Sequence, residues 1–377
     1  MSLGEFYQWL IGNGMEKNNE LLNFSVDLSF LERKRPVGVT GLLRVKNDAE
    51  FIELCIDSCI DALDELVIVY QKCDDNAPEI IKRKAQQYPN KIKVYFYEPQ
   101  IISHNLTKEE FEAVRKMCVS SVHLLSNYYN YTLSKASYRF AVKIDADQIY
   151  FSEKLKRYCD AYRSTEYVKI NIIEYFSYYW VALHNRFYKI IPLYRWMLHC
   201  RFIISNYEAY VLKMIINKKV LLNLSGVNLY YNQSGWSIPL GNGYNGIRPP
   251  FNGVGDHLFF ELKPNTYYIP WEYYDKRTDR YFYYEIFKTE RRKMLYGGFL
   301  WFHLDAIRKG KYKEHLERYQ NNTISIGTFL KSKVTFLVNK SLLFKGMRYF
   351  YFLFFEYEKK NIPWQLLAAI KKNIDYI

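Results

Sequence analysis

The chain has 377 residues, 49% of them hydrophobic and 24% charged, and 53 lysines and arginines against 39 acidic residues leave a net charge of +14. This composition is that of a globular protein of one large or two ordinary domains and excludes a disordered chain. The basic balance favours an anionic partner, such as nucleic acid, an anionic membrane surface or a phosphorylated small molecule.

The cysteines, the first residues of the chain and the tyrosines indicate the cellular compartment and the kind of binding surface. The six cysteines form no CxxC pair and no Cys/His spacing typical of zinc. The opening "MSLGEFYQWLIGNG" lacks a basic leader region and is too short and too polar for a membrane span. These features predict a cytoplasmic protein. The 37 tyrosines indicate amphipathic surfaces such as sugar-binding sites, or a compositional bias of the source.

In chain order, residues 1–35 predict an N-terminal helical segment, and alternating strands and helices follow it. The patterns predict strands over 37–45, 64–71 and 91–99, with helices over 47–63 and 77–88 between them. Asn47 or Asp48 is the expected cap of the first helix, and Pro78 lies in the first turn of the second. Such an alternation predicts an α/β fold with a mostly parallel sheet flanked by helices.

The stretch "RFAVKIDADQIYF" (139–151) predicts a fourth strand after a helical region at 107–136. This strand ends in two carboxylates, Asp145 and Asp147. Burying a charge is costly unless it is paired or binds a cation, so the pair is either an exposed turn or a site. Ligands of open α/β sheets bind at the carboxyl ends of the strands, which is where these aspartates fall.

The second half of the chain has weaker patterns. Residues 152–220 predict short helices and aromatic strands. Residues 235–262, rich in Gly, Asn and Pro, predict a long functional loop with a helix starting near Asp256. Residues 313–377 predict a basic, aromatic, helical tail without an apolar run of 18 residues. This tail is expected to contact an anionic membrane, or to cap the domain or form an oligomer contact.

Two aspartates at the end of a buried strand can offer oxygen ligands to Mn²⁺ or Mg²⁺, which take phosphate oxygens and waters as their remaining ligands. A cation held in this way can neutralise a diphosphate leaving group. That chemistry is typical of nucleotide-sugar glycosyltransferases. The DxD string alone is weak evidence for such an enzyme. Its position after three predicted βα units makes the interpretation more specific.

Five strings in order carry a family resemblance: "LLRVKNDAEFIELCIDSCI", "YQKCDDNAPEII", "QQYPNKIKVYFYEP", "LLSNYYNY" and "AVKIDADQIYFSEKL". Over residues 38–160 the chain resembles GT-A-fold bacterial glycosyltransferases. It is most similar to the β-1,4-N-acetylgalactosaminyltransferases of lipooligosaccharide and capsule synthesis and to related inverting family-2-like enzymes. The resemblance implies a GT-A domain over 36–312, with a nucleotide-sugar half at 36–150 and an acceptor half at 151–312.

The resemblance also implies site residues. Asp147 would ligate the metal, and Asp145 would face the ribose or ligate the metal as well. The other nucleotide-pocket residues would be Leu43, Arg44, Asn47, Gln71 and Asp75. The wider inverting superfamily has an aspartate directly after the second strand, where this chain has "YQK". Base recognition, and with it the donor, is therefore open.

The remaining candidates lie late in the chain, and each has a structural alternative. His303 is expected to be the third metal ligand, with His257 as a competitor, although a histidine in an apolar run is also typical of a core. Asp256 is the expected general base, or only a helix N-cap. Acceptor contacts are expected from Trp236, Tyr244, Gly255 and His257, and diphosphate contacts from Arg291, Arg292 and Lys293, unless these are ordinary packing and solvated charges.

The resemblance therefore implies a metal-dependent inverting transferase that moves a hexose or N-acetylhexosamine from a UDP-sugar to a lipooligosaccharide, O-antigen or capsule acceptor. It would work in the cytoplasm, with a peripheral contact to the inner membrane. A retaining enzyme of the same fold is the alternative. A nucleic-acid-binding protein is a remote one, because the basic residues are spread along the chain and no phosphate-binding glycine loop is present.

Overall fold

The structure is a computed structural model. It describes residues 23–102, 105–187, 201–232, 234–239, 251–276, 278–289, 294–309, 323–331 and 354–374, without the side chains of 184–187 and 254–257. Tyr244, Arg291, Arg292 and Lys293 lie outside the described residues, as does most of the predicted N-terminal segment.

The first part of the chain forms the predicted βαβ units. Strands β1 (Val39–Val45), β2 (Glu65–Tyr70) and β3 (Ile92–Phe96) pair in parallel, and helices α1 (Ile52–Cys59) and α2 (Ala77–Gln87) connect them. After the short β4 (Asn105–Leu106), strand β5 (Phe140–Asp145) pairs in parallel with β1. The prediction of a parallel α/β sheet is confirmed here.

These strands are buried on both faces, which explains their continuous apolar runs. Leu43 and Ile68 face one core with helices α1 and α5 (Ser152–Arg163), while Leu42 and Val67 face a second core with α4 (Leu125–Ser134). Successive side chains of a strand point to opposite faces, so neighbouring leucines serve different cores.

Later strands extend this sheet to eight, in the order β3-β2-β1-β5-β10-β7-β13-β6. Strand β10 is antiparallel to both of its neighbours, β7 and β13 are parallel to each other, and β6 is antiparallel to β13. The bounds are β6 Gln148–Tyr150, β7 Leu221–Asn228, β10 Phe251–Glu261 and β13 Met294–His303. The sheet is mostly parallel, as predicted for a GT-A-like α/β fold.

Two small antiparallel sheets complete the strands. One has the order β11-β12-β4 and the other β14-β9-β8. Their further strands are β8 Tyr230–Asn232, β9 Gly235–Pro239, β11 Tyr267–Asp275, β12 Arg280–Lys288 and β14 Thr323–Ser325.

The predicted mixture of short helices and strands over 152–220 is wrong. The described part of this range holds α5 and two long helices, α6 (Ile172–Phe187) and α7 (Arg201–Lys218). Helices α6 and α7 pack together, and the rings of Tyr178 and Tyr210 stack with centroids 4.6 Å apart. Aromatic residues have a weak β preference, which this helix packing overrides.

Three further predictions on local structure are wrong. The helical region 107–136 is divided into α3 (Lys108–Arg115) and α4. Helix α1 begins at Ile52 after Phe51, without a side-chain cap from Asn47 or Asp48. No helix starts near Asp256, because this residue lies within strand β10, and the residues that follow it pair with β7 and β5 and so use the backbone groups that a helix would need.

The described part of the predicted tail packs against the domain. Phe354 and Phe355 are buried in the core beside β13, and helices α8 (Ile326–Lys331) and α9 (Leu366–Lys371) contribute Phe329 and Ile370. This contact corresponds to the domain-cap alternative for these residues. Within the described ranges, no helix combines the length and the hydropathy that a membrane crossing requires.

Candidate functional site

Six strands of the large sheet point the same way, so their carboxyl ends meet at one edge: β1, β2, β3, β5, β7 and β13. Arg44 of β1 pairs in register with Asp145 at the end of β5. His303 at the end of β13 pairs in register with Asn228 at the end of β7. The sheet topology thus brings Asp145, Asp147 and His303 to one edge, although more than 150 residues separate the aspartates from the histidine.

Asp147 and His303 face each other across this edge. The Asp147 Oδ2 atom lies 3.7 Å from His303 Nε2, and both side chains are about four-fifths buried. The backbone N–H of Leu304 donates to the Asp147 carbonyl at 2.9 Å, which fixes the two chain segments together. The structure therefore brings the second aspartate and the late histidine together at this edge.

Asn228 sets the orientation of the histidine ring. His303 Nδ1 lies 2.9 Å from Asn228 Oδ1. An amide oxygen only accepts hydrogen bonds, so in a neutral ring with this contact Nδ1 carries the proton and Nε2, on the Asp147 side, is the nitrogen that can bind a cation. This arrangement, in which a second residue fixes the tautomer of a histidine, is common around metal ligands.

The geometry fits a divalent cation that takes two protein ligands. An ion about 2.1 Å from each ligand atom can bridge a separation of 3.7 Å. Among the described side chains, no group of three or more His, Cys, Asp and Glu is arranged to hold an ion. Such an ion would therefore depend on phosphate oxygens and waters for its other ligands, as Mg²⁺ does in many phosphate-binding sites.

Asp145 lies in a more cationic environment. Arg44 Nη2 is 3.6 Å from its Oδ1, Lys143 Nζ is 3.5 Å from its Oδ2, and Gln148 Nε2 donates to Oδ2 at 3.4 Å. The Arg44 guanidinium lies 3.7 Å above the ring of Tyr129. Burial raises the pKa of Tyr129 to about 12, although Arg44 and Lys143 act in the opposite direction. Two buried cations, at 3.5 and 3.6 Å, thus compensate the Asp145 charge.

Arg308 is a site residue that sequence analysis missed. Its Nη2 lies 3.2 Å from Asp147 Oδ2, the same oxygen that faces His303. Its Nη1 donates to Asp48 Oδ1 at 2.7 Å and to the Asn47 carbonyl at 3.2 Å. Burial raises the pKa of Asp48, while Arg308 lowers it. Burial lowers the pKa of Arg308, but Asp48 and Asp147 together raise it above its ordinary value.

Asn47, Asp75 and Gln71 shape the loops that follow β1 and β2. Asn47 has a φ of +58°, and its Oδ1 accepts from the Asp74 N–H at 2.7 Å. Asp75 accepts from the backbone N–H of Ala49 at 2.8 Å, and Gln71 Nε2 donates to the Pro99 carbonyl at 3.1 Å. The Asn47 and Asp75 contacts hold the loops after β1 and β2 together, and the Gln71 contact ties the loop after β2 to the segment after β3.

Two other predicted residues pack within the protein. The Leu43 side chain is fully buried in the core, and its place in a nucleotide pocket stays a prediction. Trp236 belongs to the small sheet formed by β8, β9 and β14, and its ring packs edge-on against Tyr231 with centroids 5.0 Å apart. Its predicted stacking on an acceptor sugar remains untested.

Gly255, Asp256 and His257 lie at an irregularity of β10. The pairing with β7 shifts register between Asn252 and His257, and Gly253 has a φ of +84°. Strand β10 runs antiparallel to β5, with Phe259 opposite Val142. The residues before Phe259 therefore lie toward the carboxyl end of β5, where Asp145 is found. The side chains of Asp256 and His257 lie outside the described part.

A cavity of about 990 Å³ lies elsewhere, beside α5 and the C-terminal segment. Lys154, Glu208 and Glu358 are among the residues that line it, and none of the predicted site residues does. The strand ends, and not this cavity, therefore define the candidate site.

A sequence model of the family described as Beta-1,4-N-acetylgalactosaminyltransferase (CgtA) matches residues 7–220, more than half of the chain. No curated protein matches this chain.

Solved structures also match, at low similarity. Glucosyl-3-phosphoglycerate synthase from Mycobacterium tuberculosis, in complex with Mn²⁺, UDP and glucosyl-3-phosphoglycerate, has 19% identity and a TM-score of 0.19, and the match covers 32% of this chain and 37% of that one. S. aureus TarS 1-349 with UDP has 17% identity and a TM-score of 0.21 over 34% of each chain. TarS 1-349 alone has 9% identity and a TM-score of 0.27 over 90% of this chain and 81% of its own. The first two matches thus span only about a third of those proteins.

Proposed function

The chain belongs to the Beta-1,4-N-acetylgalactosaminyltransferase (CgtA) family, a family of glycosyltransferases, and from this we propose that it transfers a hexose or N-acetylhexosamine from a UDP-sugar to a surface glycan. The family name supports N-acetylgalactosamine among the candidate sugars. The observation that carries the proposal is the Asp147–His303 pair, with 3.7 Å between Oδ2 and Nε2, at the strand edge where nucleotides bind in open α/β sheets.

Asp147 and His303 would hold Mn²⁺ or Mg²⁺ in this proposal. The ion, when bound, would neutralise charge on the diphosphate leaving group. The chain's own contribution is to hold the Asp147 backbone with the Leu304 N–H and the His303 ring with Asn228, so that the imidazole and the aspartate segment are in place before the ion binds. This preorganisation supports a donor site at this edge.

Arg44, Lys143 and Asp145 would form the neighbouring wall of the nucleotide pocket. Asp145 is 30% exposed, whereas its two cationic partners are almost fully buried. Its carboxylate is thus held in position and accessible to accept hydrogen bonds from a ribose. Asn47, Asp75 and Gln71 would support the loops around the base and the ribose.

Asp256 would be the general base of an inverting reaction. It would take the proton of the acceptor hydroxyl while that oxygen attacks the anomeric carbon, and the bond from this carbon to the diphosphate breaks as UDP leaves. The position of the β10 backbone, toward the Asp145 end of β5, supports this assignment. Because the expected helix N-terminus is absent, Asp256 would work without a helix dipole.

A retaining reaction on the same site is the alternative. Proton NMR of the product distinguishes the two outcomes, because only direct displacement inverts the anomeric configuration of the transferred sugar. Formation of the retained anomer would remove Asp256 from the role of base.

The acceptor would be a lipooligosaccharide, O-antigen or capsule glycan on a lipid carrier at the cytoplasmic face of the inner membrane. The net charge of +14 supports a peripheral contact with anionic lipid. The buried Phe354 and Phe355 are part of the core, so this contact would depend on basic residues. Co-sedimentation with anionic vesicles at low and high salt tests it.

The donor site is tested by thermal shift with a panel of nucleotide sugars, with Mn²⁺ or with EDTA. A ligand that binds only the folded state raises its melting temperature. We expect a UDP-sugar to stabilise the wild type only with metal, and Asp147→Asn to lose this effect. Arg115→Gln, a change at an exposed ion pair with Glu272, is the matched control. If no nucleotide sugar stabilises the wild type with any metal, the proposed donor site is wrong.

A further inference from the structure

Arg308 pairs with Asp147 Oδ2, the oxygen that a metal ion would need as a ligand. Its Nη2 and His303 Nε2 both approach Asp147 Oδ2, at 3.2 and 3.7 Å. From this geometry we infer that Arg308 couples metal binding to diphosphate binding. Without ligands, its guanidinium pairs with Asp147. When metal and nucleotide bind together, the guanidinium pairs with the diphosphate instead. This inference rests on the proposed function and assigns a role to a residue outside the DxD and histidine set.

The first step of the argument is electrostatic. A divalent ion bound to Asp147 Oδ2 would lie only a few ångströms from the guanidinium, and the site is partly shielded from water because Arg308 is 18% and Asp147 is 17% exposed. Like charges repel strongly at such distances in a partly buried site. A metal ion without an anion must therefore displace Arg308 from Asp147 or tolerate its charge, and either reduces its affinity.

The second step is the anchoring of Arg308. Its Nη1 donates to Asp48 Oδ1 at 2.7 Å and to the Asn47 carbonyl at 3.2 Å, both in the loop after β1. These contacts keep the guanidinium at the site when Nη2 leaves Asp147. A planar guanidinium has several donors and suits the paired oxygens of a phosphate. A diphosphate would thus give Arg308 a new anionic partner while it supplies ligands to the metal.

The two steps predict a reciprocal coupling. UDP should increase the affinity for Mn²⁺, and Mn²⁺ should increase the affinity for UDP by the same factor. Couplings of this kind are typically on the order of 5- to 150-fold. Removing the charge of Arg308 should have opposite effects on the affinity for Mn²⁺ alone and on the coupling between Mn²⁺ and UDP. Mn²⁺ alone should bind more tightly, and the gain from adding UDP should shrink.

The test measures Mn²⁺ binding by electron paramagnetic resonance, which detects free Mn²⁺ directly, with and without UDP. We expect UDP to tighten Mn²⁺ binding to the wild type by about tenfold or more. Arg308→Gln should bind Mn²⁺ alone about fivefold more tightly, with most of the coupling lost. Arg308→Lys keeps the charge but lacks the paired donors, so it should keep weak binding of Mn²⁺ alone with a reduced coupling.

Arg115→Gln removes an arginine from an exposed pair and should leave both affinities unchanged. Urea unfolding checks that each variant is folded, and the lysine variant carries the test if the glutamine variant does not fold. If Arg308→Gln weakens Mn²⁺ binding equally with and without UDP, the residue only supports the loop and the inference is wrong. Full coupling in either variant also overturns it. A wild type that binds neither Mn²⁺ nor UDP would overturn the proposed function together with this inference.

Discussion

Replacing Asn228 with alanine should weaken the metal site without touching either proposed ligand. The substitution removes the acceptor of the hydrogen bond from His303 Nδ1, which is 2.9 Å long and lies in a partly buried position. The ring then loses the contact that fixes its rotation and its tautomer. In a neutral histidine that carries its proton on Nε2, no lone pair faces Asp147.

The size of the effect follows from two contributions. The hydrogen bond itself stabilises the bound arrangement by about 1 kcal/mol. Mutations of residues that orient metal ligands typically reduce metal affinity by about 10- to 100-fold, or roughly 1.4 to 2.7 kcal/mol. The histidine has one orienting residue, and the Leu304 N–H separately holds the backbone of Asp147, the residue that carries the second ligand. We therefore expect a loss near the lower end, about 10- to 30-fold.

The assay is a Mn²⁺ titration in the presence of saturating UDP, read by the resonance signal of the free ion. Asn228→Asp keeps an acceptor for Nδ1 and should retain most of the affinity. Asn223→Ala removes a buried asparagine from the same strand away from the site, and it controls for general destabilisation of β7. An affinity of Asn228→Ala within twofold of the wild type would refute the view that His303 is a preorganised ligand.

Three further outcomes are expected. Gly226→Ala should destabilise the fold by about 1 to 3 kcal/mol in urea unfolding, because its new Cβ would clash with the Trp301 indole, and an unchanged midpoint would show that the indole relaxes freely. Arg44→Met should lower stability by roughly 1 to 3 kcal/mol, since it removes a buried guanidinium from the Tyr129 ring, and a more stable variant would contradict this. Burial lowers the pKa of His123, so on acidification the unfolded state takes up the His123 proton before the folded state does. The free energy of unfolding should therefore fall as the pH decreases below about 6.5. His123→Phe should reduce this pH dependence, as measured by the melting temperatures at pH 7.5 and 5.5.

The first half of the fold was predictable from local patterns. Strands β1, β2 and β5 are buried on both faces, and a strand of this kind needs an uninterrupted apolar run that is visible in the sequence. The position of Asp145 and Asp147 at a strand end follows directly from the alternation of predicted strands and helices along the chain. Element type was less predictable in α6 and α7, where ring packing such as that of Tyr178 on Tyr210 decides the conformation.

The site itself depended on long-range topology. His303 was proposed from a family resemblance, but its orientation follows from Asn228, at the end of a strand whose register with β13 no local pattern encodes. Arg308 gave no signal in the sequence, because one basic residue in a basic segment is usually a solvated charge. It reaches Asp147 and Asp48 only because β13 carries the chain back to the edge where β1 and β5 end. Local patterns are enough to show which strand ends in carboxylates. Which distant cation and imidazole meet those carboxylates depends on strand order, and strand order is set by contacts between segments far apart in the chain.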